Sequence, residues 1–127
     1  MKLETQITSF TLSKLLKNVG VHQDALYYWD NKGTLLPKEE TYINPDRFHE
    51  WYSAAFTVAE LGFLLPEWCS SHRDLDGKWE AYPSAIFTDV ETIRDQPTEA
   101  EARGKLLAAL YERYPDYPSL DYTTVAG

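Results

Sequence analysis

The stretch QPTEAEARGKLLAALYER, residues 96–113, gathers Glu99, Glu101, Arg103 and Lys105 within seven positions. Carboxylates beside cations can do general acid–base chemistry if a third group converges on them to hold or receive a proton. No such group is visible nearby in the sequence. Cys69 and His72 are the other reactive pair. A cysteine nucleophile needs a neighbouring base or a helix N-terminus to lower its pKa, and Cys69 instead follows Pro66, which closes an apolar helical run. A small enzyme built on Cys69 and His72 therefore requires the two to meet in one pocket. The three histidines, His22, His49 and His72, are far apart and no pair has the i, i+4 spacing of a zinc helix. Asp74, Asp76 and Gly77 form a fragment of a calcium loop, yet its first and twelfth places would fall on His72 and Pro83, which cannot supply the missing carboxylates. The plain reading is a turn whose Asp-Gly pair provides the backbone angles. The six glycines are scattered singly, so no phosphate-cradling loop exists. No catalytic residue, metal ligand or cofactor site is assigned on these grounds.

The charges of the 96–113 stretch fit a helix start. Thr98 and Glu101 have the spacing of a capping box. Glu99 precedes Arg103 by four residues and Glu101 precedes Lys105 by four, the favourable order for helix surface pairs. Ala102, Leu106, Ala109 and Leu110 form an apolar stripe behind them. The same cap spacing recurs at Thr57 and Glu60 in TVAELGFLLP, where Phe56 and Leu61 have the spacing of a hydrophobic staple and Pro66 stops the helix. A third, shorter helix is predicted in FTLSKLLKNVG, with Thr11 or Ser9 as its cap, Leu12, Leu15, Leu16 and Val19 on one face, and Gly20 as its stop.

Between these helices the pattern is β. DALYYW predicts a strand over about residues 25–30, turning at Asn31–Gly33 into TLL. A polar turn over SSHRDLDG leads into a strand at Lys78–Tyr82, and SAIFTDVET has the composition of another short strand. Residues 37–50, broken by Pro37 and Pro45, read as a loop with one helical turn after Asn44. After Tyr114 prolines interrupt the chain. The expected organisation is one domain, 1–114, with a loosely ordered tail, 115–127. Helix, hairpin, helix, strands, helix predicts an α+β fold: a small, mostly antiparallel sheet with about three helices packed on it. A layered arrangement with helices on both faces is the alternative.

Composition narrows the function. Of 127 residues, 12 are Lys or Arg and 20 are Asp or Glu, a net charge of −8. Nucleic-acid binders draw their affinity from basic residues on phosphates, so direct nucleic-acid binding is not expected. One cysteine forms no internal disulfide and fits a reducing compartment. No apolar run approaches the ~18 residues of a membrane span, and MKLETQITSF has no signal-peptide pattern; the expected location is the cytoplasm. Nine tyrosines and four tryptophans are a surplus for so short a chain. Tyr28, Trp29, Trp79 and Tyr82 fall on predicted strands, where one sheet face is core and the other displays its rings to a partner.

Three blocks, LSKLLKNVGVHQDALYYW, SAAFTVAELGFLLP and TEAEARGKLLAALYE, resemble in this order a group of short uncharacterised proteins encoded in bacterial genomes, often in phages and prophages. The resemblance covers residues 12–30, 53–66 and 98–112. Gly104 departs from it, placing a weak helix former where the group has a better one. The resemblance implies a mobile-element origin and a bacterial cytoplasmic protein, and it carries no catalytic residue with it. The resulting expectation is a non-enzymatic interaction protein, binding a protein partner or itself through aromatic and acidic surface. The alternatives are an acidic mimic of nucleic acid that inhibits a host protein, and the Cys69/His72 enzyme.

Overall fold

A computed structural model describes residues 2–41, 48–66, 69–85, 87 and 89–117, the side chain of His49 excepted. Helix α1 (Phe10–Val19) begins where Ser9 Oγ accepts the Leu12 N–H and ends on Gly20 at φ 104°. Of the two caps the sequence offers, Ser9 is used and Thr11 sits inside the first turn. Strands β1 (Tyr27–Asp30) and β2 (Leu35–Pro37) form the expected hairpin. Its turn is locked by Asp30, whose Oδ1 accepts the amides of Lys32 and Thr34, as short acidic side chains do in turns.

The hairpin gains a third strand absent from the sequence expectation. Strand β3 (Tyr52–Ala55) pairs antiparallel with β1, giving the order β2-β1-β3. All four of its residues are buried, so it shows none of the in–out alternation that marks a strand in sequence. A single helical turn, α2 (Phe48–Trp51), precedes it, where the sequence places one; residues 42–47 of that loop lie outside the described residues. Helix α3 (Val58–Leu64) starts with the full capping box: Thr57 Oγ1 accepts the Glu60 amide and Glu60 Oε1 accepts the Thr57 amide. Phe56 and Leu61, the staple pair, both belong to the core.

Strands β4 (Ser70–Arg73), β5 (Trp79–Tyr82) and β6 (Ile93–Gln96) form a second antiparallel sheet, order β4-β5-β6. The first half of the expected polar turn is thus a strand, and the turn proper is the hairpin at Asp74–Gly77. There Asp74 Oδ1 accepts the amides of Asp76 and Lys78. Among the described residues of SAIFTDVET the expected strand is not formed. Its described residues make successive turns, Phe87 N–H to Ser84 O and Val90 N–H to Phe87 O, while Ile86 and Thr88 lie outside the described residues. The strand comes later, at β6, and carries an irregularity opposite Glu80, with Asp95 at φ 59°.

Helix α4 (Glu99–Arg113) holds the two halves together. It packs on all three strands of the second sheet, on α3 and on α1, which in turn packs on β3. That position buries Ala100, Ala102, Gly104, Leu106, Leu107, Ala108, Leu110 and Tyr111, a wider apolar surface than the stripe read from the sequence. At the α1–α4 crossing, a Cβ on Gly104 would stand 2.7 Å from Leu12 Cδ2 and 2.9 Å from Thr8 Cγ2. Glycine in mid-helix is unfavourable by about 1 kcal/mol against alanine; here it lets two helices approach closely. The fold is α+β as the sequence predicts, with its antiparallel strands divided between two three-stranded sheets. Packing runs past Tyr114, since Tyr117 is buried and its hydroxyl donates to Leu64 O; residues 118–127 of the tail lie outside the described residues.

Candidate partner-binding face

The charged helix start does gather a third group, and it is one the sequence did not reveal. Ser71 Oγ of β4 donates to Glu99 Oε2 at 2.5 Å and accepts from Arg103 Nε at 2.9 Å. Arg103 also pairs with Glu99 at 3.2 Å and donates to Val58 O at 3.2 Å. Glu99 is thus already satisfied by a cation and a hydroxyl, and the serine oxygen is occupied by a guanidinium. The arrangement ties α4 to β4 and α3. Glu101 does not complete a capping box with Thr98: Thr98 Oγ1 accepts the Glu101 amide, but Glu101 Oε1 accepts the Ser9 amide at 2.6 Å. It joins the starts of α4 and α1. Lys105 reaches Gln96 Oε1 at 2.6 Å in place of the expected bond to Glu101.

Cys69 and His72 stand apart chemically. Cys69 is half-buried against the core, and burial pushes its thiol pKa up, the opposite of what a nucleophile needs. His72 is exposed, its ring edge-on to Tyr82 at 5.4 Å. Strand alternation explains the separation, because Ser71 faces α4 while His72, one residue on, faces away. His22 is exposed in the loop after α1, and the His49 side chain lies outside the described residues. Among the described residues no three His, Cys, Asp or Glu gather as a metal site, and no helix is long and apolar enough to cross a membrane.

The four aromatic residues proposed for partner binding have separate fates. Tyr28 is core, 2% exposed, its hydroxyl accepting the Ala25 amide and donating to Gln23 O. Trp29 is half-buried, with Nε1 donating to Thr8 O at 3.0 Å and its ring edge-on to Phe10. Trp79 is half-buried and packs against the core. Tyr82 differs. With Ala81 fully buried beneath α4, residues 80 and 82 point to the other face of the sheet. There the Tyr82 hydroxyl donates to Glu80, Arg94 lies over its ring at 6.0 Å, and His72 meets its edge. Arg94 also reaches Glu80 at 3.4 Å. The hydrogen bond to Glu80 raises the tyrosine pKa, so the phenol stays protonated and fixed. Among the described residues, the helix packed on this sheet, α4, lies on the Ala81 face.

The sequence names Tyr82 for partner binding and His72 only as a partner of Cys69 in a small enzyme, and it singles out neither Glu80 nor Arg94. Alternation along KWEAY does pair Glu80 with Tyr82. Its neighbours on β4 and β6 are not legible in the sequence, because β4 is polar and mostly exposed and the pairing of β6 is irregular. Among the described residues the large apolar side chains most exposed are Phe63 at 91% and Leu75 at 106%. A helical wheel of α3 puts Phe63 off the face that carries Leu61. The described residues also line several concavities. One of about 290 Å³ is lined by Phe10, Lys14, Lys17, Glu50 and Trp51. There Lys17 donates to Tyr52 O, and burial together with Lys14 lowers its pKa.

The molecule is therefore an α+β chain in which one antiparallel sheet has a helix on one face and an ordered polar–aromatic set on the other. Compared with protein-family models, curated proteins and solved structures, it finds no match.

Proposed function

We propose that this chain is a non-enzymatic interaction protein that binds a protein partner through the helix-free face of its second sheet. The observation that carries this reading is Tyr82, held between His72 and Arg94 with its hydroxyl on Glu80. Tyrosine and arginine are the residue types that dominate binding energy at interfaces, and a ring already fixed loses little conformational freedom when a partner docks. The resemblance of the 12–30, 53–66 and 98–112 blocks to phage- and prophage-encoded proteins supports a mobile-element origin and a site of action in the bacterial cytoplasm.

The test is capture of partners from a bacterial host extract with the wild-type chain and with Tyr82→Ala. A specific partner retained by the wild type is lost, or weakened at least ten-fold, in the variant, while the circular dichroism melt stays within a few degrees. Equal capture by both proteins would remove this face from the binding surface. A gene neighbourhood of phage replication or structural genes would support the origin.

A further inference from the structure

The α4 side of the second sheet holds a groove that the Tyr82 face does not use. Val90, Ile93 and Ala109 line its floor, and Glu91 and Glu112 line it from the segment before β6 and from α4; its volume is about 460 Å³. Ile93 is paired with Ala81, whose side chain lies beneath α4, and cross-strand partners point to the same face. Val90 is buried, and Ile93 and Ala109 pack against the core, so the floor is apolar and held from behind. Asp89 also lines the groove, but it is engaged. Arg113 reaches its Oδ2 at 2.6 Å and the Tyr114 hydroxyl donates to its Oδ1 at 2.5 Å. Those bonds tie the segment to α4 and cancel one charge of each sign.

Glu91 and Glu112 remain. Both are exposed, and among the described residues neither side chain has a hydrogen bond or ion pair. Arg94 is held on Glu80 at the other face, and Lys105 on Gln96, so neither cation neutralises them. Two unpaired carboxylates over an apolar floor suit a group that is cationic at its tip and aliphatic along its stem. Arginine has that form. The net charge of −8 draws such a group in. A second copy would instead bring a further −8, and residues 118–127 of the chain contain no lysine or arginine. We infer that this groove takes a basic segment of a partner protein, an arginine flanked by aliphatic residues. The guanidinium meets Glu91 and Glu112, and the aliphatic groups lie on Ile93 and Ala109. Exposed ion pairs are weak singly, so the apolar floor and the two carboxylates must act together. The groove is separate from the Tyr82 face and does not depend on it.

The probe is an unlabelled peptide with blocked ends, two leucine–arginine pairs at its centre and serine and glycine outside them. Comparison peptides replace the arginines by glutamates or the leucines by serines. Binding to the full chain is followed by amide NMR shifts at about 0.15 M salt, where charges more than ~8 Å away are largely screened. The leucine–arginine peptide shifts the amides of Val90, Glu91, Ile93 and Glu112, and each comparison peptide binds at least about five-fold more weakly. Glu91→Gln with Glu112→Gln weakens binding at least about five-fold, the scale of two exposed ion pairs. Glu39→Gln with Glu40→Gln, which removes the same charge from another exposed site, leaves it within about two-fold, as does Tyr82→Ala. No binding at about 1 mM, a weak limit for a specific segment, would overturn the inference. Equal weakening by the two double variants would overturn it as well, since net charge alone would then attract the peptide. Equal binding of the leucine and serine peptides would remove the floor from the site. Groove shifts that grow with protein concentration alone would put a second copy there instead. Failure of the peptide would leave the Tyr82 reading standing, and intact peptide binding in Tyr82→Ala keeps the two separate.

Discussion

Gly104 and Thr8 meet where the two long helices cross, and both are placed for contact geometry. Gly104→Ala gains about 1 kcal/mol of helix propensity but drives a methyl into Leu12 and the stiff Thr8 side chain. Overpacking of that kind costs about 1–3 kcal/mol, so the variant should be less stable, read as a lower urea midpoint with an unchanged slope. Pairing it with Leu12→Ala should recover part of the loss if the clash is the cause. Thr8 Oγ1 accepts the Phe56 amide and shares a hydrogen bond with Ser13 Oγ inside the core. Thr8→Val keeps the shape and strands the buried Phe56 amide, at a cost of about 1–3 kcal/mol. The local roles of Ser9, Thr57 and Glu60 could be read from the sequence because a cap acts within three or four residues. The partner of Glu101 could not, since Ser9 is 92 positions away and spacing rules do not reach so far.

The elements divide by how much of their own signal they carry. Helices α1, α3 and α4 were legible because cap, apolar period and stop all lie within one segment. Strand β1 was legible because an aromatic run ends in a glycine turn. Strand β3 was hidden by being buried on both faces, β4 by being polar and mostly exposed, and β6 by the irregularity that interrupts its pairing. That irregularity leaves Asp95 at φ 59°, a conformation that L side chains adopt at a cost of about 1–2 kcal/mol and glycine does not. Asp95→Gly should therefore stabilise the fold, by up to about 1 kcal/mol once the extra freedom of glycine in the unfolded chain is subtracted. Asp95→Val should destabilise it. Thermal melts of the two variants, moving in opposite directions, check this. Of the proposed binding set, Tyr82 could be found by alternation within β5 alone. Its partners on β4 and β6 could be found only once those strands had been recognised.

At the scale of the molecule, α4 makes two small sheets into one structure. Neither three-stranded sheet has both faces covered by its own residues. With α4 central, unfolding should be a single transition, the same by circular dichroism and by tyrosine and tryptophan fluorescence. Its pH dependence follows from the buried phenols. Burial raises the pKa of Tyr28 and Tyr111 above the ordinary value of 10.0, so the folded state holds these protons at pH values where the unfolded chain releases them. That contribution is complete below pH 10 and is lost as the pH rises through the folded-state values. The urea midpoint should therefore fall from about pH 10 upward, and less steeply in Tyr111→Phe, where one of the two phenols raised chiefly by burial is gone.

The binding face is tested most directly by placing a photo-crosslinking amino acid at Ser70, exposed and paired across from Tyr82. Glu39, exposed just past β2 of the first sheet, is the control position. Irradiation in a bacterial host should yield a discrete partner adduct from position 70 that disappears when Tyr82→Ala is introduced, and none from position 39. Adducts that form equally from both positions, or that survive the loss of the tyrosine, would contradict a partner-binding role for this sheet.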